Sequence, residues 1–127
     1  MKVLIIDDDH INNFLCRKVM ELSGFSQDVH DCNSVDEGLT YLKSVIAKEP
    51  QNFPDILFLD INMPVRSGWD FLEEYKELLE QDALKSMKIY MLSSSVYEED
   101  IERANNNDLI SQYVTKPLDK EVLANLS

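Results

Sequence analysis

Cysteine is nearly missing from this chain: Cys16 and Cys32 are the only two in 127 residues. Two thiols cannot make a disulfide framework, and these lack metal-ligand spacing, so both read as reduced and structural. No apolar run approaches the roughly 18–20 residues needed to span a bilayer. The N-terminus also lacks the basic-then-apolar layout of a secretory signal, which predicts the cytoplasm as the compartment. Basic residues are scarce, with 12 Lys and Arg against 24 Asp and Glu and a formal net charge of −12. A nucleic-acid surface wants a basic stripe facing phosphates, so direct binding of DNA or RNA is excluded. Any control of transcription would run through a protein partner. Only two histidines occur, His10 and His30. Neither has a second ligand or base nearby, and neither is assigned a catalytic role. Internal repeats, low-complexity tracts and linkers are absent too.

What remains is the composition of an ordinary globular chain, 44% hydrophobic and 28% charged. Its length suits one domain with a single core, residues 1–127. Four short apolar runs stand out. Val3-Leu4-Ile5-Ile6 is followed by Asp7-Asp8-Asp9, and Ile56-Leu57-Phe58-Leu59 by Asp60. Ile89-Tyr90-Met91-Leu92 is followed by Ser93, and Tyr113-Val114-Thr115 by Lys116. Such runs read as buried strands of a parallel sheet, whose carboxyl ends collect the chemistry.

Helical patterns fill the intervals. Ile11, Phe14, Leu15, Val19 and Leu22 recur at helical spacing and predict the inward face of a first helix, stopped at Ser23-Gly24. Gln27–Cys32 is weakly apolar and predicts an edge strand. A capping-box pattern at Ser34–Glu37 opens a helix with Val35, Leu39, Leu42, Val45 and Ile46 inward. Pro50 and Pro54 bracket its exit. Ser67–Asp70 caps a helix faced by Trp69, Leu72, Tyr75 and Leu79. Ser95–Glu98 reads as a third capping box, before a short polar helix fraying at Asn105-Asn106-Asn107. The last helix starts near Asp119, with Val122, Leu123 and Leu126 inward, and stops abruptly at Leu126-Ser127. Alternation of this kind predicts an α/β domain, a doubly wound sheet with helices on both faces.

Repelling carboxylates have no structural reason to converge at strand ends, since each disfavours ionisation of the others. A divalent cation relieves the repulsion. Asp7 and Asp8 suit Mg²⁺, which takes few carboxylates, retained waters and a phosphate oxygen. Asp60 reads as the nucleophile, because a carboxylate can attack phosphorus to form an acyl phosphate. Taken alone it could equally be a turn-forming Asp. Asp9 is best explained as the cap of the first helix. Lys116, aimed by the Lys-Pro junction, and Ser93 could hold the anion, although exposed lysines and loop serines are common. Tyr113 taken alone reads as a core aromatic.

Together these residues resemble the receiver domain of two-component response regulators. The matching pieces are Asp7-Asp8, the Asp60-x-x-Met63-Pro64-x-x-x-Gly68 signature, Ser93-Ser94, and Tyr113-x-x-Lys116-Pro117. They appear in order along essentially the whole chain. The resemblance implies a flavodoxin-like fold, five parallel strands in the order 2-1-3-4-5 with five helices. It implies a phosphoacceptor rather than an enzyme, with slow autodephosphorylation at most. Asp60 would take a phosphoryl group from a phosphohistidine on a sensor histidine kinase or a phosphotransfer protein. Asp8, Asp60 and the backbone carbonyl of Asn62 would bind Mg²⁺, with Asp7 acting through water. Lys116, Ser93 and Ser94 would bind the phosphoryl group. Ser93 and Tyr113 would form a switch that remodels the surface of the fourth helix, fifth strand and fifth helix for a downstream protein target. Ser93 stands where Thr is common. No output domain follows, which implies a stand-alone regulator.

Two other readings compete. A phosphatase of the haloacid-dehalogenase type would use Asp7 as nucleophile and Asp9 as acid/base, but leaves the Asp60 signature unexplained. A receiver-shaped docking module that takes no phosphate would have lost Asp60, Asp8 or Lys116, and all three are present.

Overall fold

The computed structural model describes residues 1–126. Strands and helices alternate as β1 Lys2–Ile6, α1 His10–Ser23, β2 Asp28–Cys32, α2 Val35–Lys48, β3 Ile56–Leu59 and α3 Gly68–Glu80. They continue as β4 Lys88–Ser93, α4 Glu98–Asn105, β5 Ile110–Thr115 and α5 Lys120–Ala124. A single 3-10 turn at Pro50–Asn52 extends the connection between α2 and β3. Every strand pair is parallel, and the order is β2-β1-β3-β4-β5. The expected sheet is therefore the observed one, with β2 at its edge. Helix α5 spans Lys120–Ala124; Ser127, part of the expected helix end, lies outside the described residues.

Side-chain alternation divides the core. Leu4, Ile6, Leu57, Leu59, Ile89 and Met91 pack with α2 and α3 on one face of the sheet. Val3, Ile5, Phe58 and Leu92 pack with Cys16, Met20 and Leu123, from α1 and α5, on the other. Because both faces are covered, the central strands read as unbroken apolar runs rather than alternating ones. Cys16 and Cys32 are free and buried, and burial pushes their thiols up to about 11 and about 12. They stay protonated in neutral solution, as structural cysteines do.

Helix α1 differs from expectation. Its buried residues are Asn13, Cys16 and Met20, with Val19 packed partly against them. Ile11 is 73% exposed, Phe14 57%, Leu15 54% and Leu22 86%. The helix thus carries two arcs at helical spacing, and the more apolar one faces outward.

Two caps also differ. Tyr97, not Ser95, is the N-cap of α4, and it makes no side-chain cap bond. Ser95 Oγ instead donates to Asp100 Oδ2 at 2.6 Å and accepts from the Tyr97 amide. At α2, Ser34 accepts from the Glu37 amide, but the Glu37 carboxylate reaches the Asn33 amide rather than the cap itself. The box at Ser67 and Asp70 is complete in both directions, and Asp119 caps α5 as expected.

The loop between β3 and α3 holds an unusual backbone. Val65 has φ +71°, and the Arg66 amide donates to the Pro64 carbonyl at 2.8 Å. That pairing is a γ-turn of the strained hand, on a β-branched residue that disfavours it. The Arg66 side chain anchors the turn, reaching Asp36 at 2.7 Å and Glu74 at 2.8 Å.

Candidate functional site

Three backbone bonds carry the strand ladder one step past the strand ends. The Asp7 amide donates to the Cys32 carbonyl, Asp60 to Ile6, and Lys116 to Ser93. The functional side chains therefore start from the rigid sheet, not from free loops. Two strand spacings, roughly 10 Å, separate β3 from β5, so only a long side chain from β5 reaches the acids. Lys116 does so, with Nζ 2.8 Å from Asp7 Oδ2 and 3.6 Å from Asp60 Oδ1. The Lys116-Pro117 peptide is cis.

Asp7 and Asp60 are buried, at 1% and 6% exposure, whereas Asp8 is exposed. Oxygens of all three lie within 4.8 Å of one another. Burial raises the Asp60 carboxyl from an ordinary 3.8 to about 6, and the Asp7 charge adds to the rise. Lys116 opposes it, and Asp8 adds a smaller push. For Lys116, burial disfavours the ammonium, but the hydrogen bond to Asp7 and the charges of Asp60 and Asp7 outweigh it and raise its pKa. The cluster is thus short of positive charge, and its hard oxygen donors suit a small divalent cation such as Mg²⁺.

The other predicted residues surround this cluster. Ser93 is buried at the end of β4, where its Oγ accepts from the Ser95 amide at 3.1 Å. Tyr113, on β5, is half-buried against the core, and its hydroxyl donates to the Ser95 carbonyl at 2.8 Å. Both switch candidates therefore hold the same residue. Asn62 and Ser94 are exposed and line one shallow depression with Ser95, Val96, Tyr97 and Asp100. Asp9 Oδ1 accepts from the Ile11 and Asn12 amides. Asp9 thus serves as the cap of α1, as its place after the acid pair predicted.

Gly68 fixes the loop beneath Asp60. A Cβ there would sit 2.3 Å from the Asp60 carbonyl oxygen and 3.2 Å from the Ile61 Cα. The Gly68 amide donates to the Ile61 carbonyl at 2.8 Å. The last residue of the signature is thus glycine because helix α3 begins against the Asp60 backbone.

Two residues escaped the sequence reading. Asn12 Nδ2 donates to Asp7 Oδ2 at 2.9 Å, and Asn13 Nδ2 to the Asp7 carbonyl at 3.0 Å. Asn13 also reaches Asn33, while its own Oδ1 is buried without a partner. Adjacent amides in the first turn after an acid cluster were the available signal, obscured by assigning the inward face to Ile11 and Leu15.

Comparison with known proteins agrees with this fold. The family model for the response regulator receiver domain matches residues 3–126. A two-component response regulator from Cytophaga hutchinsonii has the same fold, with TM-score 0.87 and 30% identity over 98% of this chain and 91% of its own. A response regulator receiver protein from Dyadobacter fermentans gives 0.80 and 32%, covering 97% and 94%. Among curated relatives, the polar-differentiation response regulator DivK of Brucella anthropi is 29% identical over 91% of this chain and 84% of its own. The hybrid signal transduction histidine kinase L of Dictyostelium discoideum is 28% identical over 96% of this chain, which spans only 7% of that protein. From residue 3 to residue 126, this chain belongs to the response regulator receiver domain family.

Proposed function

We propose that this chain is a phosphoacceptor in a two-component phosphorelay, one domain over residues 1–127, acting in the cytoplasm. The observation that carries the reading is the buried Asp60 carboxylate, held between a lysine and two further acids at adjoining strand ends. Asp60 would attack the phosphorus of a phosphohistidine. A P–O bond forms, the P–N bond breaks, and the electron pair returns to the imidazole nitrogen. Such transfer needs positioning and charge stabilisation more than covalent help. Asp8, Asp60 and the Asn62 carbonyl would hold Mg²⁺, with Asp7 acting through water. The ion would neutralise charge on the phosphoryl oxygens. Lys116 would meet one of those oxygens, and Ser93 and Ser94 would donate to the others. Slow hydrolysis of the acyl phosphate would return the chain to rest, making it an acceptor rather than an enzyme. With Mg²⁺ and acetyl phosphate, intact mass is expected to rise by one phosphoryl group. No gain, with the chain folded, would sink the reading.

The donor would be a sensor histidine kinase or a phosphotransfer protein. It has to cover the surface around Asp60, and that surface is unexpectedly apolar. Of the eight large hydrophobic side chains exposed among the described residues, four lie on α1 and three more are Val65, Val96 and Tyr97. Those three sit on the loops after β3 and β4, at the same edge of the sheet. Exposed apolar side chains on the first turns of α1 and on the loops after β3 and β4 suit a helical partner that packs on α1 and presents its histidine to Asp60. Leu15→Glu should slow transfer from the donor protein by about tenfold, with acetyl phosphate labelling unchanged. Equal loss with both donors would remove α1 from the interface.

Output would run through Ser93 and Tyr113 to a downstream protein target at α4, β5 and α5. Both residues are tied to Ser95, so movement of the Ser93 hydroxyl toward a phosphoryl oxygen would release one of two holds on that loop. Ser93→Ala should still accept phosphate while losing the change in hydrogen exchange over residues 94–118. A full exchange change in that variant would place the switch elsewhere.

A further inference from the structure

We propose that Asn12 is a positioning residue that takes over Asp7 when Lys116 turns to the phosphoryl group; the inference rests on the phosphoacceptor reading above. Asp7 Oδ2 has two donors at nearly equal distance, Lys116 Nζ at 2.8 Å and Asn12 Nδ2 at 2.9 Å. Its Oδ1 has one, the Asp9 amide at 3.0 Å. At rest, Lys116 is committed to Asp7 and stands 3.6 Å from Asp60. The lysine that serves the phosphoryl group thus begins closer to Asp7 than to Asp60.

Phosphoryl oxygens on Asp60 would draw Lys116 off. Apart from Asn12, Asp7 Oδ2 would then keep no protein donor, and a buried charge that loses its partner is strongly unfavourable. Asn12 removes that obstacle. Its backbone is pinned by the Asp9 cap, so its side-chain amide stays on Asp7 Oδ2 whether or not Lys116 does. Being neutral, it adds no charge to compete with the lysine for the phosphoryl group.

The test uses the whole chain and beryllofluoride, an inert stand-in for a phosphoryl group, with Mg²⁺. Asn12→Leu keeps the branched shape and removes the donor, so Lys116 is expected to stay on Asp7. Its beryllofluoride affinity should fall by about tenfold, the size of one hydrogen bond to a charged group. Its Mg²⁺ half-saturation without beryllofluoride should shift much less, because Lys116 then still pairs with Asp7. Asn12→Gln, which retains an amide, should recover part of the loss, and Asn12→Ser provides the same comparison if the leucine variant does not fold. Beryllofluoride affinity equal to the parent in Asn12→Leu overturns the inference. An equal loss of Mg²⁺ affinity also overturns it, since Asn12 would then act through the metal site. A parent chain that binds no beryllofluoride defeats the phosphoacceptor reading itself, a result distinct from either of these.

Discussion

Asp60→Asn is expected to abolish phosphoryl uptake and, in the absence of metal, to melt above the parent. The first effect follows from loss of the attacking carboxylate. The second follows from burial, which together with Asp7 raises the Asp60 carboxyl from 3.8 to about 6. A group whose folded pKa is raised contributes stability that is complete below its unfolded pKa. That contribution is lost as pH climbs through the folded value. Here the window runs from about pH 4 to about pH 6. Above it, the ionised Asp60 weighs against the fold by roughly 3 kcal/mol. Asparagine carries no such penalty, so at pH 7.5 its melting temperature should be higher by roughly 10 °C. The gap should close as pH falls toward 4, where the parent carboxyl is protonated. Mg²⁺ should raise the parent's melting temperature by mass action and leave the asparagine variant nearly unmoved. Calorimetry of both chains across this range, with and without Mg²⁺, decides the matter. A parent more stable than Asp60→Asn at neutral pH without metal would mean that the acid cluster is not strained.

Gly68→Ala should be among the most damaging single-methyl changes in the chain. The added carbon would lie 2.3 Å from the Asp60 carbonyl oxygen, and backbone rather than a flexible side chain would have to give. Overpacking of this kind costs about 1–3 kcal/mol, which lowers the melting temperature by roughly 4–12 °C in a chain of this size. The shift falls on the Asp60 backbone, so phosphorylation should slow as well, unlike the effect of a distant core substitution of equal cost. An alanine variant that melts with the parent and labels at the parent rate would show that the start of α3 can move away freely. Gly38 offers the contrast. There the added carbon would meet the tip of the Ile6 side chain, which can rotate, so Gly38→Ala should leave labelling intact.

The sheet was legible in the sequence because each buried strand is a short apolar run followed by a polar residue. Parallel strands covered on both faces allow little else. Asp7, Asp60 and Ser93 were legible for the same reason, each being the first polar residue after its run, and Lys116 by its place before Pro117 at the end of Tyr113-Val114-Thr115. Their convergence then follows from strand order and right-handed crossovers. The orientation of α1 was not legible. Ile11, Phe14, Leu15 and Leu22 satisfy helical periodicity as well as Cys16, Val19 and Met20 do, and periodicity identifies an arc without saying what lies against it. Only packing against β1 and β3 selects the less apolar arc and turns Asn13 inward. That choice sets the amides of Asn12 and Asn13 on Asp7 and leaves an apolar surface beside the site. The closer approach of Lys116 to Asp7 than to Asp60, and the shared hold of Ser93 and Tyr113 on Ser95, are likewise tertiary. They depend on distances between strands far apart in sequence, which residue spacing along one chain does not encode.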